Sequence, residues 1–308
     1  MHPDRPRYDL VVVGDANPDL ILRGDVVPRF GQSEQLLSSA DLVLGASAAI
    51  TAHAAARLGL RTALVSVVGA DEFGDFVIQQ LERAQVDVSY VARTANPTGI
   101  SVVLSTPETR TTLTYLGAIP MLGGADLDVS VIGHTRHVHA SSFFLQPELA
   151  AALPELFARA HQAGATTSLD TNADPAGLWS GVAEVLPYVD VLLPNHAEAI
   201  ALAAQVTSAT PANLEAAARA LASYGPIVVV KDGADGALGV RAGECVRVPA
   251  PTVEVVDTTG AGDTFNAAFI QAWISQLPLE ECLRIAAAAG AQSTTWAGGP
   301  GPLGDDRS

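Results

Sequence analysis

The sequence predicts one α/β domain: a central, mostly parallel β-sheet flanked by helices on both faces, with a small β-sheet lid. Three observations predict it. Short segments of continuous rather than alternating apolar character recur, as in Leu10–Val13 before Gly14, and read as strands of a buried parallel sheet. From residue 137 onward such segments alternate with helix-length ones, which implies βαβ units. Two separated stretches, about 18–43 and 97–118, are turn-rich or β-branched and partly alternating, and suit a small sheet that covers something.

In chain order, Leu10–Val13 is the first strand, and Leu20–Leu22 through Leu44 is short β-structure with turns at Gly24, Pro28 and Gly31. Ala46–Leu58 is an alanine-rich helix closed by Gly59. Thr62–Val68 is a strand and Asp75–Ala84 a helix. Thr98–Leu104 and Thr111–Leu116 form a hairpin about Pro107-Glu108-Thr109. Strands follow at His137–Ala140, Thr166–Asp170, Val189–Leu193 and Ile227–Lys231, with helices at Pro147–Gln162, Glu198–Ala204 and Ala212–Ser223. Ala237–Val248 and Thr252–Val256 read as antiparallel edge strands, and Asp263–Gln276 and Leu279–Thr295 as the last helices. Residues 1–298 form the domain, and the Gly/Pro/Asp-rich 299–308 a flexible tail.

Composition bounds the function. The chain has 308 residues, 48% hydrophobic and 16% charged, enough for a sizeable core and incompatible with global disorder. A net charge of −16 argues against nucleic acid or an anionic membrane as the main partner. Cys245 and Cys282 stand singly, unlike a disulfide framework or zinc site. The polar start and the lack of an apolar run of about 18 residues make a reducing cytoplasm the expected location.

The sharpest chemical signal is Asp257-Thr-Thr-Gly260-Ala261-Gly262-Asp263-Thr-Phe-Asn, between a strand and an apolar helix. Small residues at a helix N-terminus leave bare N–H groups in front of them, an anion site reinforced by the helix dipole. A carboxylate in the first turn points to the same spot. An anion hole beside a carboxylate is what phosphoryl transfer to an alcohol needs. On these residues alone, Asp263 is also readable as a helix N-terminal charge and the glycines as a tight turn. Asp19 follows the first strand, where open α/β proteins bind ligands, or is a turn aspartate capping local backbone. Glu198 could help hold a hydrated Mg²⁺, or be the third residue of a helix capped by Asn195. Lys231, the only lysine in the chain, emerges at a strand end beside a glycine-rich loop. His134, His137 and His139 are close in sequence but read as core or surface imidazoles rather than a metal site.

The segment Asp257–Phe265 resembles the C-terminal signature of the ribokinase-like, or PfkB-type, carbohydrate kinases. Gly14-Asp15-Ala16-Asn17-Pro18-Asp19 resembles that family's first-strand motif, Gly45 to Gly59 its glycine-rich signature, and Val68 to Gly74 its Gly-x-Asp-x-x-Gly turn. Asn195-His-Ala-Glu198 resembles its Asn-x-x-Glu motif and Lys231 to Gly236 its Lys-x-Gly-x-x-Gly motif. The resemblance spans almost the whole chain and implies a ribokinase-like fold and an ATP-dependent carbohydrate kinase using Mg²⁺. It implies Asp263 as general base with the Gly260-Ala261-Gly262 anion hole. Asn17, Asp19 and Gly45 would lie at the sugar, and Asn195, Lys231, Gly233 and Gly236 at ATP. Glu198 would act on Mg²⁺ through water. It further implies a monovalent cation such as K⁺ at carbonyls of Asp257, Thr259, Ser293, Trp296 and Gly298, and a homodimer through the lid.

The chain departs from the pattern at Gly45-Ala46, where the family has two glycines, and at Ile50, where it has a sugar-binding Asn. Asp170-Thr171-Asn172 resembles the family's strand-end Asp-x-Asn but lacks the basic residue that follows. Arg110 in the hairpin would meet an anionic substrate group or solvent. Neither a Rossmann Gly-x-Gly-x-x-Gly nor a Walker loop is present. The rivals are a nucleoside kinase of the same fold, with Ile50 or Phe143-Phe144 as an apolar slot for a base, and a catalytically silent sugar- or nucleotide-sensing module.

Overall fold

The computed structural model describes residues 6–31, 34–106, 109–123 and 129–296. Gly298, the 299–308 tail and Pro107-Glu108 of the expected turn lie outside the described residues. Thirteen strands occur among the described residues. They are β1 (Leu10–Val13), β2 (Pro18–Gly24), β3 (Leu37–Leu44), β4 (Thr62–Gly69), β5 (Asp87–Thr94), β6 (Ile100–Ser105) and β7 (Arg110–Tyr115). The rest are β8 (His137–Ser141), β9 (Thr166–Asp170), β10 (Val191–Leu192), β11 (Ile227–Lys231), β12 (Ala237–Arg241) and β13 (Glu244–Val248).

Nine form one sheet in the order β13-β12-β11-β10-β9-β8-β1-β4-β5. It is parallel from β5 to β11, and β12 and β13 close it as an antiparallel hairpin. The other four form a separate sheet, β3-β2-β6-β7, from the two stretches of distinct texture. β1 shows why the main sheet is covered twice. Val11 and Val13 pack into one apolar cluster, with α4 (Pro147–Gln162) and α7 (Leu214–Ala222). Leu10 and Val12 pack into another, with α1 (Ser47–Arg57), α2 (Glu72–Arg83) and α8 (Ala261–Ile274). All four side chains are fully buried, each worth about 1.5–3 kcal/mol of transfer free energy. The short α3 (Val129–Ile132) and α5 (Val182–Val185), α6 (His196–Thr207) and α9 (Leu279–Ser293) complete the helices. No helix among the described residues is long and apolar enough to cross a membrane.

Three expectations needed correction. Thr252–Val256 is not a strand but an exposed irregular segment; the edge hairpin is instead β12–β13, turned at Ala242-Gly243. β5 was unanticipated, being a half-buried edge strand whose polar and apolar residues mix. α2 starts at Glu72 rather than Asp75, because the Asp71 side chain caps it by accepting from Gly74 N at 2.9 Å.

Candidate active site

β1, β9 and β11 end together at the carboxyl edge of the sheet, and α8 begins beside them. Gly260 precedes α8 with φ 74°, a left-handed conformation that disfavours any residue with a side chain. Because α8 starts at Ala261, the amides of Gly262 and Asp263 have no helical carbonyl four residues back to bond. They are free to face an anion, and Asp263 stands in the same turn.

Asp263 Oδ1 accepts a 2.5 Å hydrogen bond from Ser47 Oγ, the first residue of α1. Burial pushes its carboxyl up to about 7; Asp170 and Asp15 add to that, while Ser47 and Lys231 oppose it. Asp170, buried at the end of β9, forms an ion pair with Lys231 Nζ and accepts from Asn266 Nδ2 at 2.6 Å. Burial alone would lower the Lys231 ammonium, but Asp170 and Glu198 outweigh it and hold it above its ordinary value. Lys231 Nζ lies 3.6 Å from where a side chain on Gly262 would begin, so its charge sits against the anion hole.

Asn17, Asp19 and Gly45 also converge. Asn17 and Asp19 are buried at the start of β2, with Asn17 Nδ2 3.4 Å from Asp19 Oδ1. Gly45 N donates to Asn17 O at 3.0 Å, and a Cβ on Gly45 would stand 2.1 Å from Asp19 Oδ1. Only glycine allows that approach. Burial and the Asp15 charge raise Asp19 to about 7, against the pull of Arg110.

On the far side of the anion hole is a cavity of about 470 Å³. Lys231, Gly233, Gly236 and Gly262 line it, with Phe265 and Val253 among its apolar walls. Asn195 and Glu198 stand beside it rather than on it, closed into a capping box. Glu198 accepts from Asn195 N at 2.8 Å and Nδ2 at 2.6 Å, and Asn195 Oδ1 accepts from Glu198 N at 3.0 Å. Burial and Asp170 raise Glu198 to about 7. Asp170, Glu198 and Asp263 surround a single ammonium and leave an excess of negative charge, although no three or more His, Cys, Asp or Glu among the described residues are grouped so as to hold a metal ion directly. Since Asn195 already engages both Glu198 oxygens, Glu198 fits holding a metal's water better than the metal itself.

Asp257 and Ser293–Trp296 adjoin: Val256 N and Asp257 N both donate to Thr294 O, at 2.8 and 3.1 Å. Trp296 Nε1 is buried without a hydrogen-bond partner. Two arginines reach this loop from the four-stranded sheet. Arg23 Nη2 meets Asp257 Oδ2 at 2.7 Å, and Arg110 Nη1 donates to Thr259 Oγ1 at 3.2 Å.

The sequence reading missed Asp15, Ser47, Ser142 and Arg23. Ser47 carried a signal as the one polar residue within Gly45–Ile50, and Asp15 as a charge between Gly14 and Asn17; Ser142 and Arg23 carried none. His137 and His139 are core imidazoles. They are fully buried beneath α8 in a chain that runs Thr166, His137, Ser168, His139, Ser141 with contacts of 2.7–2.9 Å. Desolvation lowers them to about 3 and about 4. Ile50 is buried. Phe143 and Phe144 line a separate groove against α4 that contains none of the expected site residues.

The family model for pfkB family carbohydrate kinases matches residues 7–303. The chain is 32% identical over 281 residues to an ATP-dependent ribose-1-phosphate kinase of Halopiger xanaduensis, covering 90% of this chain and 89% of that one. It is 30% identical over 290 residues to a ribokinase of Arabidopsis thaliana, covering 91% and 74%. The solved structure of an adenosine kinase from Sinorhizobium meliloti superposes with a TM-score of 0.84 at 27% identity, covering 96% of each chain. The chain belongs to the pfkB family of carbohydrate kinases, phosphotransferases that act on alcohol groups.

Proposed function

We propose that this protein transfers the γ-phosphate of MgATP to a hydroxyl of a small sugar or sugar-like acceptor, with Asp263 as the general base. The observation that carries this reading is Asp263 in the first turn of α8, hydrogen-bonded to Ser47 two residues after the Gly45 that closes on Asp19, with Gly262 of the same turn lining the cavity.

Asn17 and Asp19 bind acceptor hydroxyls and orient one toward Asp263. The carboxylate, with a value of about 7, takes the proton as the oxygen attacks the γ-phosphorus in line. The Gly260–Gly262 segment and the Lys231 ammonium stabilise charge on the transferring group. Gly233 and Gly236 flank the nucleotide, with Asn195 nearby. Glu198 would hold Mg²⁺ through water, and the ion would supply further charge neutralisation there. Carbonyls of Asp257, Thr259, Ser293 and Trp296, with Gly298, would hold a monovalent cation whose field supports the anion hole. A homodimer forms through the open face of the four-stranded sheet, where Leu113 and Tyr115 are 56% and 57% exposed; a strictly monomeric mass by light scattering would remove that element.

A nucleoside acceptor is the second reading, favoured by the likeness to an adenosine kinase. The burial of Ile50 and the seating of Phe143 and Phe144 in a separate groove weigh toward a sugar. The test is ADP release from MgATP across sugars, sugar acids, sugar phosphates and nucleosides, with Asp263→Asn in parallel. A hit abolished by the substitution supports the reading; an equal rate in the variant overturns Asp263 as base.

A further inference from the structure

The acceptor side of the site is bordered by three non-glycine residues in left-handed backbone conformations: Ala46 (φ 65°), Ser142 (φ 59°) and Asn172 (φ 55°). Such strain persists only where its surroundings enforce it, and here Ser142 and Asn172 belong to one hydrogen-bond chain that reaches Ser47, the residue after Ala46. Ser142 N donates to Asn172 Oδ1 at 2.8 Å. Ser142 Oγ donates to the buried Asp15 Oδ2 at 2.8 Å. Asn172 Nδ2 reaches Ser47 Oγ at 3.3 Å, and Ser47 Oγ reaches Asp263 Oδ1 at 2.5 Å.

The donors can be assigned by elimination. A backbone N–H only donates, so Asn172 must turn its oxygen to Ser142, which leaves its amide nitrogen facing Ser47. Ser47 Oγ therefore accepts from Asn172, and its one hydrogen is committed to Asp263. Ala46 precedes Ser47 directly, and its left-handed turn starts α1 so that Ser47 projects to the site.

We propose that Ser47 and Asn172 form a directed relay that positions the Asp263 carboxylate, occupying Oδ1 so that Oδ2 is the oxygen offered to the acceptor hydroxyl. Ser47 is thus a positioning residue, acting through Asp263 and not on the phosphoryl group. This rests on Asp263 being the base. The charged groups that face Asp263 are Asp15 after β1, Asp170 at the end of β9 and Lys231 at the end of β11. None of them donates a hydrogen bond to Oδ1, so Ser47 is the group whose removal isolates the relay.

The test follows the carboxyl carbon of Asp263 by ¹³C NMR in the aspartate-labelled protein, the resonance being assigned by its loss in Asp263→Asn. In Ser47→Ala the midpoint rises by about one unit, the loss of one hydrogen bond to a charged acceptor. Ser47→Thr, which keeps the hydroxyl, restores it, and Asn172→Ala moves it in the same direction by less. With the acceptor found in the panel, the acidic limb of kcat moves in parallel while KM for MgATP stays within twofold. An unmoved Asp263 midpoint in Ser47→Ala overturns the relay, whatever the activity. Full turnover in Asp263→Asn overturns the base instead, so the two failures are told apart.

Discussion

Replacing Asp263 by Asn should make the protein inactive and more stable at once, and the two effects share a cause. In the folded state the carboxyl is raised to about 7, chiefly by burial, and the neighbouring Asp170 and Asp15 add to that. That lies roughly three units above the ordinary carboxylate value, and at about 1.36 kcal/mol per unit the full cost of keeping it ionised is about 4 kcal/mol. Because Asp263 is only partly buried, solvent screening halves this to about 2 kcal/mol. The folded chain binds the extra proton between about pH 4 and 7, so this group's penalty is absent below that window and complete above it. Asparagine preserves an oxygen for Ser47 and removes the charge. The variant should therefore melt about 3 °C higher than the parent at pH 8, and the gap should close as the pH falls toward 4. Turnover should drop by about 10²–10⁴-fold, the usual worth of a positioned base. Scanning calorimetry of both proteins at several pH values between 4 and 8 measures the first effect, and ADP release the second. A variant no more stable than the parent at pH 8 would refute the claim that the site holds this carboxylate at an energetic cost.

Other outcomes follow from single residues. Ala46→Gly removes a left-handed strain of about 1–3 kcal/mol against a loss of about 0.4–1 kcal/mol in unfolded-state entropy; urea unfolding should show a net gain of about 1 kcal/mol. Gly45→Ala drives a Cβ to 2.1 Å from Asp19 Oδ1, so calorimetric titration should show acceptor binding weakened at least tenfold with MgATP binding unchanged. Ser168→Ala leaves one ring nitrogen each of His137 and His139 unpaired in the core, costing about 2–4 kcal/mol in denaturant unfolding.

Much of the fold was legible because its signals are local. β1 and β11 are continuous apolar runs and α4 is a strongly amphipathic stretch, and their boundaries come close to the sequence reading. β5 was not legible, because an edge strand half exposed to solvent needs no regular pattern. Thr252–Val256 has β-branched composition, but its neighbours offer no partner edge, and it serves as a wall of the cavity instead. At the site, the glycines and Asp263 announced themselves through the chemistry of a helix start. Ser47, Ser142 and Asn172 become one chain only when α1 and the ends of β8 and β9 are brought together, and the 125 residues between Ser47 and Asn172 hide that neighbourhood. The three histidines were read as core or surface imidazoles; His134 is exposed while His137 and His139 are core, and the serine and threonine partners of the latter sit across a strand pairing that no short motif records.

The two arginine contacts from the four-stranded sheet have a thermodynamic consequence. Asp257 accepts from Arg23 with one oxygen and, with the other, from Thr259 N at 2.9 Å, next to the glycine that starts the anion hole. Seating the small sheet and shaping the loop are therefore parts of one equilibrium. On the proposed function, a ligand that holds the sheet down would also set the loop for the nucleotide, and by reciprocity the nucleotide would tighten the hold on that ligand by the same factor.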